Sequence, residues 1–167
     1  MILGFKKQFV PFVEEGSKTH TIRAIGKRRP FRPGDMCDCF ENARQKTMRC
    51  IGRFKCVRVE DICISRQTNG CWPLVVRIGE NVLNPEETEL LFYRDGFRSK
   101  SYRLSITYPV RDPLTNKPNP IQEAAEFWKD KEFPFHGQLI HWEFKPGTAN
   151  SKLRARSGRV YAGGKNA

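Results

Sequence analysis

The stretch GRFKCVRVEDICI, Gly52 to Ile64, sets Phe54, Cys56 and Arg58 against Lys55, Val57 and Val59, the period of two that a β-strand requires. It reads as one long strand or two short ones. Upstream, RPGDMCDCF supplies a turn at Pro33 and Gly34, and Asp35 leads into a strand at about Met36 to Phe40. Downstream, a further strand is expected around Trp72 to Ile78. GQLIHWEF ends the body as a strand with Leu139 and His141 on one face and Ile140, Trp142 and Phe144 on the other. Two helices announce themselves by their starts. NPEETELLFYRDGF has Asn84 as N-cap, Pro85 in the first turn, Glu86 and Glu87 against the dipole and Gly96 past the end, and NPIQEAAEFW repeats the pattern from Asn119 and Pro120. A shorter helix is expected where Phe9, Val10, Phe12 and Val13 share a side, ending at Gly16. Strands of this length with two or three short helices and no βαβ alternation predict an α+β fold, a small, mostly antiparallel barrel with helices over its openings.

The 167 residues are enough for one apolar core and too few for two. Thirty basic against eighteen acidic side chains give a formal charge of +12, and the excess is at the ends. Residues 1–34 carry eight basic and two acidic groups, residues 35–144 carry sixteen of each, and residues 145–167 carry six basic and none acidic. A neutral body with cationic ends suits a polyanion, so nucleic acid is the expected partner. The plainer alternative is that basic ends keep a protein soluble. Residues 145–167, poor in large apolar groups, are expected to form a flexible tail. The start, MILGFKKQFVPFVEEG, is broken by Lys6, Lys7, Pro11 and two glutamates, so neither a signal peptide nor a membrane span is expected there. The six cysteines, Cys37, Cys39, Cys50, Cys56, Cys63 and Cys71, contain no C-x-x-C pair and read as small strand hydrophobes of an intracellular, cytoplasmic protein. No metal and no cofactor is expected.

GSKTHTIR, Gly16 to Arg23, crowds small polar and basic groups into eight residues. One reading is a helix stop followed by a polar connection. The other is a pocket into which Lys18, Thr21 and Arg23 point, since residues two apart on a strand share a face.

The order of motifs decides further: G-x-K-x-x-T-x-R at Gly16, Lys18, Thr21 and Arg23, P-G-D at Pro33 to Asp35, a strand ending VEDI, a helix ending D-G-F at Asp95 to Phe97, and G-x-L-I-H-W in the last strand. Over roughly residues 1–144 this resembles the ASCH domain family (activating signal cointegrator homology), whose fold is similar to the PUA barrel of RNA-modifying enzymes. The resemblance implies RNA or modified-nucleoside chemistry in a cleft beside Gly16 to Arg23. Some members are amidohydrolases of N4-acetylcytidine that use a lysine, a threonine and a helical glutamate; others bind RNA or are ribonucleases. Lys18 and Thr21 match the first two. Asp95, one methylene shorter, is the nearest match to the third, and a long insert at about 101–119 has no counterpart in compact members.

An amide-cleaving threonine needs a base, and Lys18 could serve only with its pKa lowered by burial or by cations such as Arg23. A carboxylate at Asp95 would oppose that, so it is expected to act on substrate or orient a proton rather than simply pair with Lys18. The plainer alternatives are a phosphate or base contact for Lys18, a strand residue for Thr21 and a solvated helix end for Asp95. The expected RNA contacts are Gly16, His20, Arg23, Lys27, Arg28, Arg29 and Arg32, with His20 exposed beside the cleft and His141 a satisfied core histidine.

Overall fold

A computed structural model of the chain describes residues 1–27, 29–67, 72–98 and 119–145. Arg28, Cys71, the expected insert up to residue 118 and the expected tail from residue 146 lie outside the described residues.

The alternation from Gly52 to Ile64 belongs to one strand, β4 (Arg49–Arg66), which is the spine of the sheet. Its first half pairs antiparallel with β3 (Met36–Glu41), its last residues with β5 (Leu74–Ile78), and the stretch between and beyond with β7 (Phe135–Glu143). At Ile62 both edges are occupied, by Ile78 of β5 and Gly137 of β7. A two-residue strand β6 (Asn81–Val82) extends β5. The outer strands are β1 (Ile2–Phe5), parallel to β3, and β2 (His20–Ala24), antiparallel to β7. Register shifts at Cys39/Phe40 and Cys56/Arg58 bend the sheet.

The sheet curves but does not close, which corrects the expected barrel. Closure would require β1 and β2 to exchange backbone hydrogen bonds, and no such ladder exists among the described residues. A side chain spans the gap instead: Arg23 Nη2 donates to the Gly4 carbonyl at 2.6 Å. Among the described residues the architecture is therefore α+β, a mostly antiparallel open sheet with three short α-helices.

Those helices follow their sequence signals closely. A 3₁₀ turn (Lys7–Phe9) runs into α1 (Val10–Glu14), with Pro11 in the first turn where its missing N–H costs nothing. In α2 (Pro85–Arg94), Asn84 Oδ1 accepts from the Glu87 amide while Glu87 Oε2 accepts from the Asn84 amide, both at 2.9 Å. In α3 (Pro120–Phe127), Asn119 Oδ1 accepts from the Gln122 amide at 2.9 Å. Phe97 is edge-on to Phe9, Phe92, Phe127 and Trp128, so one aromatic cluster ties the three helical segments together. On the sheet side, Leu3, Ile51, Phe54, Ile64, Leu139 and Ile140 complete a single core. Cys37, Cys39 and Cys56 are buried there as free thiols, and burial pushes the Cys37 thiol up to about 12.

Gly16 closes α1 in the left-handed region, at φ 81°, and a Cβ there would come within 2.5 Å of the Phe144 ring. Gly16→Ala combines backbone strain of about 1–3 kcal/mol with a clash against a core-packed ring. The variant should melt several degrees lower. An unchanged melting temperature would show that the turn and Phe144 relax freely.

Candidate functional site at the open seam

Lys18 is fixed from both sides before it reaches any ligand. Its amide donates to the Phe12 carbonyl at 2.8 Å, and the next carbonyl, of Thr19, accepts from Trp142 at 2.9 Å. The side chain then runs inward and is 1 % exposed. Its Nζ donates to the backbone carbonyl of Asp95 at 2.5 Å and to the Asp95 carboxylate, and lies 5.4 Å from the Phe9 ring centre. Asp95 is the C-cap of α2, 5 % exposed, held by its amide to the Leu91 carbonyl at 2.9 Å. The negative end of a helix favours the ammonium and disfavours the carboxylate.

Burial pushes the Lys18 amine down and the Asp95 carboxyl up, while their contact pulls each back toward its charged form. Both are thus displaced toward the neutral pair, Lys–NH2 and Asp–COOH. Asp95 was expected to act on substrate or orient a proton rather than simply pair with Lys18; the two are in direct contact. The pairing keeps chemistry open, since a shared proton in a dry site can be given or taken by either group.

Thr21, on β2, is 4 % exposed and lines a cavity of about 140 Å³ together with Lys18, Arg23, Asp95, Phe5 and Phe9. Lys18, Thr21 and Asp95, singled out in the sequence for catalysis, therefore share one space. Arg23 spans the seam above it: its guanidinium lies 5.0 Å from the Phe5 ring centre, and its buried Nε has no hydrogen-bond partner. On the other side of the Arg23–Gly4 bond is a cleft of about 800 Å³. Gly4 and Arg23 line both spaces, so the two adjoin at this hydrogen bond.

The expected RNA contacts divide. Lys27 and Arg29 line the outer cleft, and Arg29 is already engaged bidentately by Asp35, Nη1–Oδ2 at 2.9 Å and Nη2–Oδ1 at 2.7 Å. That clasp holds the Asp35 carboxyl down at about 2. Arg32 lines neither space; its amide caps Asp35. Gly16 also lines neither and serves the turn against Phe144. His20, expected to be exposed, is 4 % exposed beneath α2: in its Nε2–H form it donates to the Leu91 carbonyl at 3.3 Å, with an Asp95 oxygen 4.0 Å away. His141 is half-buried on β7, with Nε2 3.0 Å from Glu60.

Three further residues of the outer cleft escaped the sequence reading. Gln138 clasps the basic loop, accepting from the Phe31 amide at 3.0 Å, Phe31 faces the same space, and Arg44 enters from the β3–β4 hairpin. Nothing local in Asn42 to Gln45 marks Arg44; only the fold brings it to the seam. Among the described residues no cluster of three metal-ligating side chains exists, and no helix is long and apolar enough to cross a membrane. No family model, curated protein or solved structure matches the chain.

Proposed function

We propose that this chain is an RNA-directed binding protein of ASCH type, built on an incompletely closed PUA-like sheet, whose seam receives a nucleoside of the RNA. The observation that carries the reading is the convergence of Lys18, Thr21, Arg23 and Asp95 on one cavity that abuts a larger cleft edged by Lys27, Arg29 and Arg44. Inner groups can read polar edges of a base, while the basic rim meets backbone phosphates. Binding to single-stranded and hairpin RNA should weaken steeply between roughly 50 and 200 mM salt, each neutralised phosphate adding about 0.7 to the log–log slope for single strands. Salt-insensitive binding, or none at low salt, would remove the reading.

The buried Lys18–Asp95 pair favours a second reading, an amidohydrolase of N4-acetylcytidine-type nucleosides. Neutral Lys18 would take the Thr21 hydroxyl proton as Thr21 oxygen bonds the acyl carbon. The C–N bond then breaks, and the exocyclic nitrogen receives the proton, leaving an acyl-threonine for water to hydrolyse. Incubation with N4-acetylcytidine, followed by chromatography for cytidine, separates the two readings. Turnover by wild type that is lost in Thr21→Val and retained in Thr21→Ser establishes the enzyme; RNA fragments in a parallel incubation would point instead to a ribonuclease.

A further inference from the structure

The inner cavity, at about 140 Å³, is below the roughly 300–1,000 Å³ of sites that enclose a whole small ligand. Whatever enters it must leave most of its bulk in the outer cleft, whose about 800 Å³ falls within that range. Four cationic side chains line the outer cleft, Arg23, Lys27, Arg29 and Arg44, and no acidic residue does. Asp35 occupies Arg29 from outside. Lys27 and Arg44 have no carboxylate partner among the described residues, and the buried Nε of Arg23 is unpartnered. Like charges gathered without counter-charges repel one another, and a buried donor left unpaired costs about 1–3 kcal/mol. An anion in the cleft removes the repulsion, while the Arg23 Nε is closed to it.

The hairpin that carries Arg44 is built at a cost. Asn42 and Arg44 both adopt the left-handed region, at φ 50° and 69°, which non-glycine residues rarely occupy. Gly4 receives the hairpin closely: a Cβ on Gly4 would be 2.8 Å from the Ala43 Cβ. The same Gly4 offers its carbonyl to Arg23. Strained backbone pinned over a seam is the kind of local cost that persists where it positions a side chain. Phe31 and Ile25 add apolar wall to the same space.

We infer that the outer cleft is a phosphate site in which Arg44 and Lys27 hold the phosphate of the nucleotide whose base reaches the inner cavity, so that the ligand is a phosphorylated nucleotide unit rather than a free nucleoside. The inference rests on the nucleoside reading above and adds the charge of the ligand to it. The phosphate belongs either to a chain end or to an internal diester.

Calorimetric titration of the purified chain with the four nucleosides, their 5′-monophosphates and inorganic phosphate tests it. At least one monophosphate should bind roughly tenfold or more tighter than its nucleoside. Arg44→Gly, which suits the left-handed backbone and removes the charge, should collapse that ratio toward one. Arg44→Lys should keep most of the ratio. Short RNAs with and without a 5′-phosphate identify the source: a gain confined to the phosphorylated end marks a terminal site, and an equal gain in both marks a diester. A wild-type ratio near one overturns the inference, as does an equal loss of nucleoside and monophosphate binding in Arg44→Gly. Phosphate bound in an Arg44-dependent way with no nucleoside binding would leave the anion site standing and remove the nucleoside reading; no binding of any probe would remove both.

Discussion

Lys18→Met will lower the unfolding free energy by about 3–5 kcal/mol, read as a fall in the urea midpoint at nearly unchanged slope. Methionine fills the space of the lysine stem but leaves the Asp95 carboxylate, 5 % exposed, without its ammonium. Arg23 does not come within ion-pair distance of Asp95, and His20 is 4.0 Å away and neutral, so neither replaces the missing charge. Asp95 must then remain charged in a dry site or take up a proton against neutral solvent, and both are unfavourable. Acid relieves the second route, so the deficit should shrink as the pH is lowered from about 7 toward 5. In the double variant Lys18→Met/Asp95→Leu, removing both charges should recover most of the loss, because an apolar replacement of a buried pair is often neutral or better. A single-variant loss under about 1 kcal/mol would show that water reaches the pair, and a double variant no better than Lys18→Met would show that the loss is one of packing. Either result would also weaken the proton-sharing chemistry on which the hydrolase reading depends.

The parts of this fold that were legible in the sequence are those decided by neighbours along the chain. Asn84 with Pro85 and Glu87, and Asn119 with Pro120, each complete a cap within four residues, and α2 and α3 begin where those residues say. The alternation through Phe54 to Val59 is equally local and marks β4. Strand β1 has only four residues and is stabilised by parallel pairing to β3, more than thirty residues on, so ILGF carries no period long enough to read. The same limit hid the open seam. Whether β1 and β2 pair depends on what the Gly4 carbonyl accepts, and it accepts the guanidinium of Arg23. Within the site, Lys18, Thr21 and Asp95 could be named because their spacing resembles a known motif, and one cavity brings the three together. His20 was misread because its neighbours are polar, whereas its exposure is set by the end of α2 that covers it at Leu91. Arg44 belongs to a hairpin whose left-handed residues are not glycines, and so it gave no turn signal of the usual kind.

Below about pH 6.5 the native protein should lose stability by roughly 1.4 kcal/mol per pH unit through His20 alone, reaching about 2–3 kcal/mol near pH 4.5. The histidine is pushed down to about 3, first by burial under α2 and then by the positive field of Lys18 and the nearby His141 ring. In the unfolded chain it protonates at its ordinary value near 6.5. Between those values the unfolded state holds a proton that the native state refuses, so lowering the pH through the window favours unfolding. Asp95 acts in the opposite sense, since a carboxyl raised by burial binds its proton more readily when folded and gains native stability as the pH falls. His141 acts in the same sense as His20 but is only half-buried, and Glu60 pulls its proton affinity back up. A difference measurement isolates residue 20. His20→Gln keeps an amide donor for the Leu91 carbonyl and removes the titration, so its urea-derived stability should decline less steeply than wild type between about pH 6.5 and 4.5. His141→Gln should alter the slope less. If the curves for wild type and His20→Gln run parallel, residue 20 takes up its proton in the folded protein, and the closed, dry end of the Lys18–Asp95 pair does not exist in solution.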